Sequence, residues 1–437
     1  MNLLVRYSKQ MLLLAAIVCY SSASYGQGNP PTKVAGIPVN YDEAQVGTYT
    51  LPDPLTLQNG KKVTTPAMWT KKRRPEILQL FYENQFGRVP GKPAFLAFDV
   101  FDKGTPVFNG KAIRKQVRIY FDKDTAKHKM DVLLYVPAAA TKPAPLLLNI
   151  SFTANATTVD DPGIRQGTVW KGEARVLATA SPFRKVNVEK FIDAGIGYAT
   201  VYYGDIEPDF RNGIKYGIRS AYLEPGATQV AANEWGAISA WSWGLSRVMD
   251  YLETDKTVDA RRVSVTGASR LGKTALWTGA RDPRFAMVIA SISGESGAAL
   301  SRRNFGETVA HMTDTTRYFY QFAPRYHDFS NKVNELPVDG HMLISLIAPR
   351  PLLLQTGDTD SWSDPKGEFL AAKAAEPVYR LFGKKGIESD TFPAAGDDSN
   401  LNTLGYYMHS GGHAVLPEDY DIFIRFMTKH FALPGNK

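Results

Sequence analysis

The sequence predicts an α/β fold, a three-layer sandwich with a mostly parallel central sheet and long loop insertions. Three observations predict it. From about residue 146 onward, short apolar strand-like runs alternate with amphipathic helical segments, as in strands joined by crossover helices. Three stretches without clear periodicity, 153–187, 205–233 and 300–335, interrupt that alternation. Segments this long inside a compact domain are usually functional loops. At 44% hydrophobic and 22% charged, the chain is too apolar to be disordered and too polar for a polytopic membrane protein.

The first residues read as a secretory signal. Arg6 and Lys9 give a positive start, Met11–Tyr20 is an apolar run, and small and polar residues follow, with cleavage expected near Gly26. A membrane span needs about 20 apolar residues, more than this run supplies. The expected product is secreted or periplasmic, with no membrane contact after cleavage. Cleavage removes two cations and lowers the formal charge from +8 to +6. It also removes Cys19, the only cysteine. A disulfide framework, a Cys-based zinc site and a cysteine nucleophile are therefore excluded. The residual positive charge fits either an anionic partner or ordinary variation in surface charge.

Residues 27–60, rich in Pro, Gly, Asn and Asp, are expected as an N-terminal arm, and 61–437 as a single catalytic domain. Pro75–Phe86 predicts a helix, with Pro in its first turn and Gly87 as its stop. Val117–Phe121, Met130–Val136 and Leu146–Ile150 predict strands. Then follow a strand at Gly197–Tyr203, a helix at Trp235–Leu252, a strand at Arg262–Thr266, a helix at Lys273–Arg281 and a strand at Ala286–Ile292. Ile344–Ile347 ends a helix, Leu352–Thr356 is a strand, Glu368–Phe382 a helix, Tyr406–His409 a short strand and Tyr420–Phe431 the last helix.

The strongest local signal is Val263-Ser-Val-Thr-Gly-Ala-Ser-Arg-Leu-Gly-Lys273. A β-rich run enters Gly267, reaches Ser269, passes Gly272 and becomes a helix. That is the layout of a nucleophile elbow, which lifts a serine hydroxyl clear of the sheet. The helix N-terminus behind it favours negative charge, and the Arg270 N–H is placed to donate to an oxyanion. The second glycine comes one residue later than in G-x-S-x-G. The same stretch, Gly267 to Thr274, also fits the phosphate-loop pattern G-x-x-x-x-G-K-T. The pattern alone does not separate the two, although an exported protein meets little nucleotide.

A serine nucleophile needs a base, and the chain has seven histidines. In an α/β-hydrolase the order is serine, acid, histidine, with the histidine on a loop after the last strand. His413 fits best, because Gly411-Gly412 precedes it and the last helix follows. His409 falls within the strand, and His341 and Trp235 read as structural groups. The acid is expected after the strand Leu352–Thr356, where Asp358, Asp360 and Asp364 stand, with Glu295 as a further candidate. Any one of them could instead be a turn or cap residue.

With these residues in view, the chain resembles the glucuronoyl esterases of carbohydrate esterase family 15, above all the bacterial members. The resemblance runs from about residue 50 to 430. Its blocks include Arg73-Arg-Pro-Glu76, Trp235-Gly-Ala-Ile-Ser-Ala-Trp241, Thr266-Gly-Ala-Ser-Arg-Leu-Gly-Lys273, Phe305-Gly-Glu307, Ile347-Ala-Pro-Arg-Pro351 and Trp362-Ser-Asp-Pro365. It implies an α/β-hydrolase fold and hydrolysis of esters joining 4-O-methyl-glucuronate on xylan to lignin alcohols, and it decides against a nucleotide. It implies Ser269 as nucleophile, His413 as base and the Arg270 guanidinium in the oxyanion hole. Lys273 and Glu307 would bind hydroxyls of the uronate ring, and Trp362 would line its pocket. By themselves these three would read as a solvated helix residue, a partner of Arg302 or Arg303, and loop packing. No cofactor, metal or nucleic acid is implied, and a monomer is expected.

Two positions depart from the family pattern. Ala268 stands where relatives often carry Cys. Ile292 stands where relatives often carry the acidic residue, a Glu, and it cannot serve. Other bacterial members place the acid two residues before the tryptophan, which is Asp360 here. The ranking is therefore Asp360, then Glu295, then Asp358.

Overall fold

The computed structural model describes residues 30–433. The expected signal, residues 1–26 with Cys19, lies outside them. The core is a nine-stranded sheet. Its strands are β1 (Ala97–Val107), β2 (Ala112–Tyr120), β3 (Lys129–Pro137), β4 (Ala144–Ser151), β5 (Gly197–Tyr202), β6 (Val258–Ala268), β7 (Met287–Ser291), β8 (Leu352–Gly357) and β9 (Leu404–His409). Their spatial order is β1-β2-β3-β5-β4-β6-β7-β8-β9. The first three pair antiparallel and β3 joins β5 antiparallel, while every pairing from β5 to β9 is parallel. This is the mostly parallel α/β-hydrolase sheet expected from the sequence.

The parallel strands read as near-continuous apolar runs because both of their faces are covered. Alternation then sorts the side chains between two layers. Leu146, Leu148 and Ile150 of β4 enter the larger core, with α1 (Arg74–Asn84), α3 (Ala237–Leu252), α4 (Arg270–Arg281), α5 (Gly340–Ser345) and α6 (Pro365–Leu381). Leu147 enters the smaller core on the other face, with α2 (Val188–Asp193) and α7 (Pro417–His430). Among the described residues no helix is long and apolar enough to cross a membrane.

The differences from expectation have physical causes. Strand β1 is not legible because it is a half-exposed edge strand carrying Asp99, Asp102, Lys103, Gly104 and Pro106, and charges, Gly and Pro on an edge mask the two-residue period. Helix α1 starts at Arg74 and is preceded by a turn at Pro66–Met68 and a π-helical turn at Trp69–Arg73. The bulge lets Trp69 bury completely and lets Arg73 reach the Pro54 carbonyl at 3.1 Å and Glu76 at 3.1 Å. The arm is held rather than free, since the Asn40 carbonyl accepts from Gly306 N–H at 2.8 Å and the Pro52 carbonyl lies 2.8 Å from His341 Nε2.

Helix α4 lies tight on the sheet through Gly279. A Cβ there would fall 2.3 Å from Val288 Cγ2 and 3.0 Å from Ile347 Cδ1. Helix propensity alone predicts that Gly279→Ala stabilises by about 1 kcal/mol. The packing predicts the reverse, a loss of about 1–3 kcal/mol from overpacking, read by urea denaturation.

Candidate active site

Parallel strands end on one edge of the sheet, so the loops after β6, β7, β8 and β9 gather there. Ser269 stands between β6 and α4 with φ 58° and ψ −126°. A non-glycine residue rarely adopts this conformation, and surrounding packing has to hold it. Its N–H donates to the Ser291 carbonyl at 2.9 Å. The two flanking glycines make this approach possible. A Cβ on Gly267 would meet the Leu271 carbonyl at 2.4 Å, and one on Gly272 would meet the Ser291 carbonyl at 2.6 Å. The late second glycine is thus placed by the neighbouring strand end.

The four candidate carboxylates separate by their partners. Asp360 Oδ2 accepts from His413 Nδ1 at 2.7 Å, and Asp360 is almost wholly buried. Ser363 Oγ lies 3.0 Å from the same nitrogen. The acceptor-only carboxylate fixes the proton on Nδ1 and leaves Nε2 as the basic nitrogen. The His413 side chain is 38% exposed, so the ring is open on one side. Asp358 accepts from Gly411 N–H at 2.8 Å and so ties the two loops together. Asp364 caps α6 through Gly367 N–H at 2.9 Å and pairs with Arg303 at 2.9 Å. Glu295 faces away, accepting from Ser301 Oγ at 2.6 Å and Ser296 N–H at 2.7 Å.

Arg270 follows the elbow. Its guanidinium bonds Asp209 at 2.5 Å and lies over the Tyr318 ring at 4.7 Å. Asp209 is the hub, accepting also from Tyr320 OH at 3.0 Å and Gln321 Nε2 at 2.7 Å. Burial opposes the charge on Arg270, and Asp209 with the surrounding tyrosines outweighs it, so its pKa is raised. Sequence reasoning missed Asp209, Tyr318, Tyr320 and Gln321. The only signal was that all four lie in the aperiodic stretches 205–233 and 300–335.

Lys273, one turn into α4, is 4% exposed, not a solvated helix residue. Burial pushes its pKa down, and the Glu307 carboxylate opposes this. Glu307 does not pair with Arg302 or Arg303. Arg302 bonds Asp339 at 3.1 Å, Arg303 bonds Asp364, and Glu307 takes Arg317 at 2.8 Å. Glu307 N–H donates to the Trp362 carbonyl at 2.8 Å, so these two candidates share one wall. Arg317 lies 5.3 Å from the Trp362 ring centroid, and His311 meets that ring edge-on at 5.2 Å. Among the described residues no group of three or more His, Cys, Asp or Glu could hold a metal ion.

Beneath the site, Glu368 of α6 accepts from Gly294 N–H at 2.6 Å and Ser293 Oγ at 3.1 Å. It thus grips the turn beside Ile292. Burial pushes Glu368 and Glu295 each up to about 8. Both then hold a proton in the folded chain at pH values where the unfolded chain has released it. Their contribution to stability is present below the ordinary carboxyl value of 4.5 and is lost as pH rises towards about 8. Glu368→Gln keeps the acceptor and removes the titration. It is expected to flatten the decline in melting temperature between about pH 5 and pH 8, and an unchanged slope would contradict the assignment.

The chain is similar to known proteins over nearly all of its described length. The family model described as glucuronyl esterase, fungi, matches residues 230–383. A carbohydrate esterase, MZ0003, from an unknown prokaryotic organism is 43% identical over 90% of this chain and 92% of its own. The solved glucuronoyl esterase from Solibacter usitatus is 43% identical, covers 89% of this chain and 100% of its own, and superposes with a TM-score of 0.83. The CE15 glucuronoyl esterase from Teredinibacter turnerae is 31% identical, covers 92% and 94%, and superposes with a TM-score of 0.76. Similarity at this level over nearly the whole described chain, in sequence and in fold, makes the chain a member of the carbohydrate esterase family 15 glucuronoyl esterases.

Proposed function

We propose that the protein is a serine esterase that hydrolyses 4-O-methyl-glucuronoyl esters, of the kind that link xylan side chains to lignin alcohols, through an acyl-enzyme on Ser269. The observation that carries the assignment of roles is the Asp360–His413 hydrogen bond of 2.7 Å, on loops that share the sheet edge with the Ser269 turn.

In this reading His413 Nε2 takes the proton from Ser269 Oγ as the oxygen attacks the uronate carbonyl. Asp360 holds the ring tautomer and stabilises the imidazolium that forms. The imidazolium then gives its proton to the departing alcohol, and the ester C–O bond breaks. Water, activated by His413, attacks the acyl-serine and releases free uronate. The tetrahedral oxygen meets the Arg270 N–H at the start of α4 and the Arg270 guanidinium, which stays charged beside Asp209. Lys273, Glu307 and Trp362 bind the sugar ring. Because the reacting carbonyl hangs on that ring, contacts to the ring fix its distance from Ser269. We also propose export to the periplasm or the medium, on the basis of residues 1–26, and a glucuronate-bearing xylan as the anionic partner of a mildly basic chain.

The purified mature protein is expected to release alcohol from methyl and benzyl glucuronate esters faster than acetate from acetylated sugars. Equal or better turnover of acetyl esters would leave a general carbohydrate esterase. Ser269→Ala is expected to remove turnover, and a variant that keeps it would exclude this mechanism. Asp360→Asn is expected to lose up to about 10⁴-fold in kcat, well beyond Glu295→Gln; the reverse order would move the acid to Glu295.

The guanidinium of Arg270 is aimed by Asp209. Asp209→Ala is therefore expected to lower kcat by about 10²-fold, approaching the loss of an oxyanion donor. The binding of free glucuronate, read by calorimetry, should change far less than kcat. Unchanged kcat would remove Arg270 from the oxyanion hole.

A further inference from the structure

A second histidine, not used in the chemistry above, sits four residues before His413. His409 ends β9 and is 2% exposed. Its Nδ1 lies 2.9 Å from Oδ2 and 3.2 Å from Oδ1 of Asp419, in the first turn of α7. Its Nε2 lies 3.1 Å from the Gly412 carbonyl oxygen. A carboxylate and a carbonyl only accept, so both ring nitrogens donate and the ring is an imidazolium. Gln355 Nε2, which donates to the Thr356 carbonyl at 3.0 Å, also stands 2.9 Å from Nδ1; a donor there favours an unprotonated Nδ1, and the two Asp419 oxygens on the same nitrogen outweigh it. Asp419 is completely buried, and its Oδ2 also accepts from Leu416 N–H at 2.6 Å.

The loop 410–416 carries His413, and this pair holds it at both ends. We propose that His409 and Asp419 are positioning residues for His413. The charged ring clamps Gly412, the residue next to the base, and the carboxylate clamps the loop's exit at Leu416. Hydrogen bonds then run in series from Asp419 through His409 to the Gly412 backbone, and the next residue, His413, bonds Asp360. Gly357 packs against the same carbonyl: a Cβ there would lie 2.4 Å from the Gly412 oxygen and 2.8 Å from His409 Nε2, so only glycine leaves room for the contact. A loop tied at Gly412 and at Leu416 holds the His413 ring to the narrow range that proton transfer needs. The inference rests on His413 being the base.

Asp419 and Glu418 face His409 from α7, and Asp358, from the loop after β8, donates its N–H to the His409 carbonyl at 3.0 Å. Burial opposes the charge on the ring, and Asp419 outweighs it, so the pKa is raised. The clamp is therefore complete below the ordinary imidazole range and opens as pH rises through the raised value. The neutral ring has one donor for two acceptors, and the loop loses one of its ties.

The test measures kcat and KM on methyl glucuronate ester across about pH 6–10 for the full chain, Asp419→Asn and His409→Gln, with thermal unfolding alongside. Asp419→Asn keeps an acceptor for Leu416 and removes the charge. It is expected to lower kcat about tenfold to 10²-fold, leave KM within about twofold, and move the alkaline loss of kcat to lower pH by about one unit. His409→Gln is expected to lower kcat similarly and remove that alkaline step. Cooperatively folded variants with unchanged kcat and an unmoved alkaline limb would overturn the inference. Should a variant not fold, ¹⁵N spectra of the native chain decide: two protonated nitrogens on His409 at neutral pH support the clamp, and one overturns it. Ser269→Ala separates the two failures. If it keeps turnover, the site assignment itself falls. If it alone loses turnover, only the clamp falls.

Discussion

The parallel register from β6 to β9 is the constraint on which the rest depends. Gly267 of β6 pairs with Ala290 of β7, Ala290 with Leu354 of β8, and Leu354 with Tyr406 of β9. That ladder alone brings residues 269, 360 and 413 to one edge, although more than 140 positions separate the first from the last. A slip of one residue would turn every side chain of the shifted strand to the opposite face. The covering helices make such a slip costly, because both faces of these strands are buried in apolar cores. The energy of the fold therefore lies in its layers, and the edge is free to hold strained and polar groups.

The edge uses that freedom. Ser269 keeps a positive φ, and buried charges are paired, Asp209 with Arg270, Arg317 with Glu307, Arg302 with Asp339, and Arg303 with both Asp364 and Glu43. Removing one partner of a buried pair leaves an uncompensated charge, which costs far more than the pair itself contributes. Arg270 is thus fixed in place by Asp209, a residue placed outside the proposed chemistry. Glycines play the complementary role at 267, 272 and 357, where backbone approaches too closely for a Cβ.

Much of this was legible in the sequence, and the limits have physical causes. Strands β4 to β9 announce themselves because burial on both faces leaves apolar runs, and helices α3, α4, α6 and α7 by their amphipathic period; the short helix α2 does not. The exposed edge strand β1 does not, because polar residues fall on both of its faces. The elbow is legible because sterics demand small residues around Ser269. Chain order pointed to His413 and to an acid after β8, and the family resemblance put Asp360 ahead of the other candidates. Asp209 and Asp419 were not legible, since a carboxylate that aims another side chain has no local pattern, only a partner distant in sequence. Ile292 could be read as unable to serve, but its neighbour Glu368, reaching from α6, becomes visible only in three dimensions.

The central claim is that one serine carries the chemistry, and covalent titration tests it most directly. An organophosphonate that mimics the tetrahedral intermediate should label Ser269 one to one, and hydrolysis of a glucuronate ester should fall in proportion to labelling. Labelling of a different residue, or turnover that survives complete labelling of Ser269, would contradict the account.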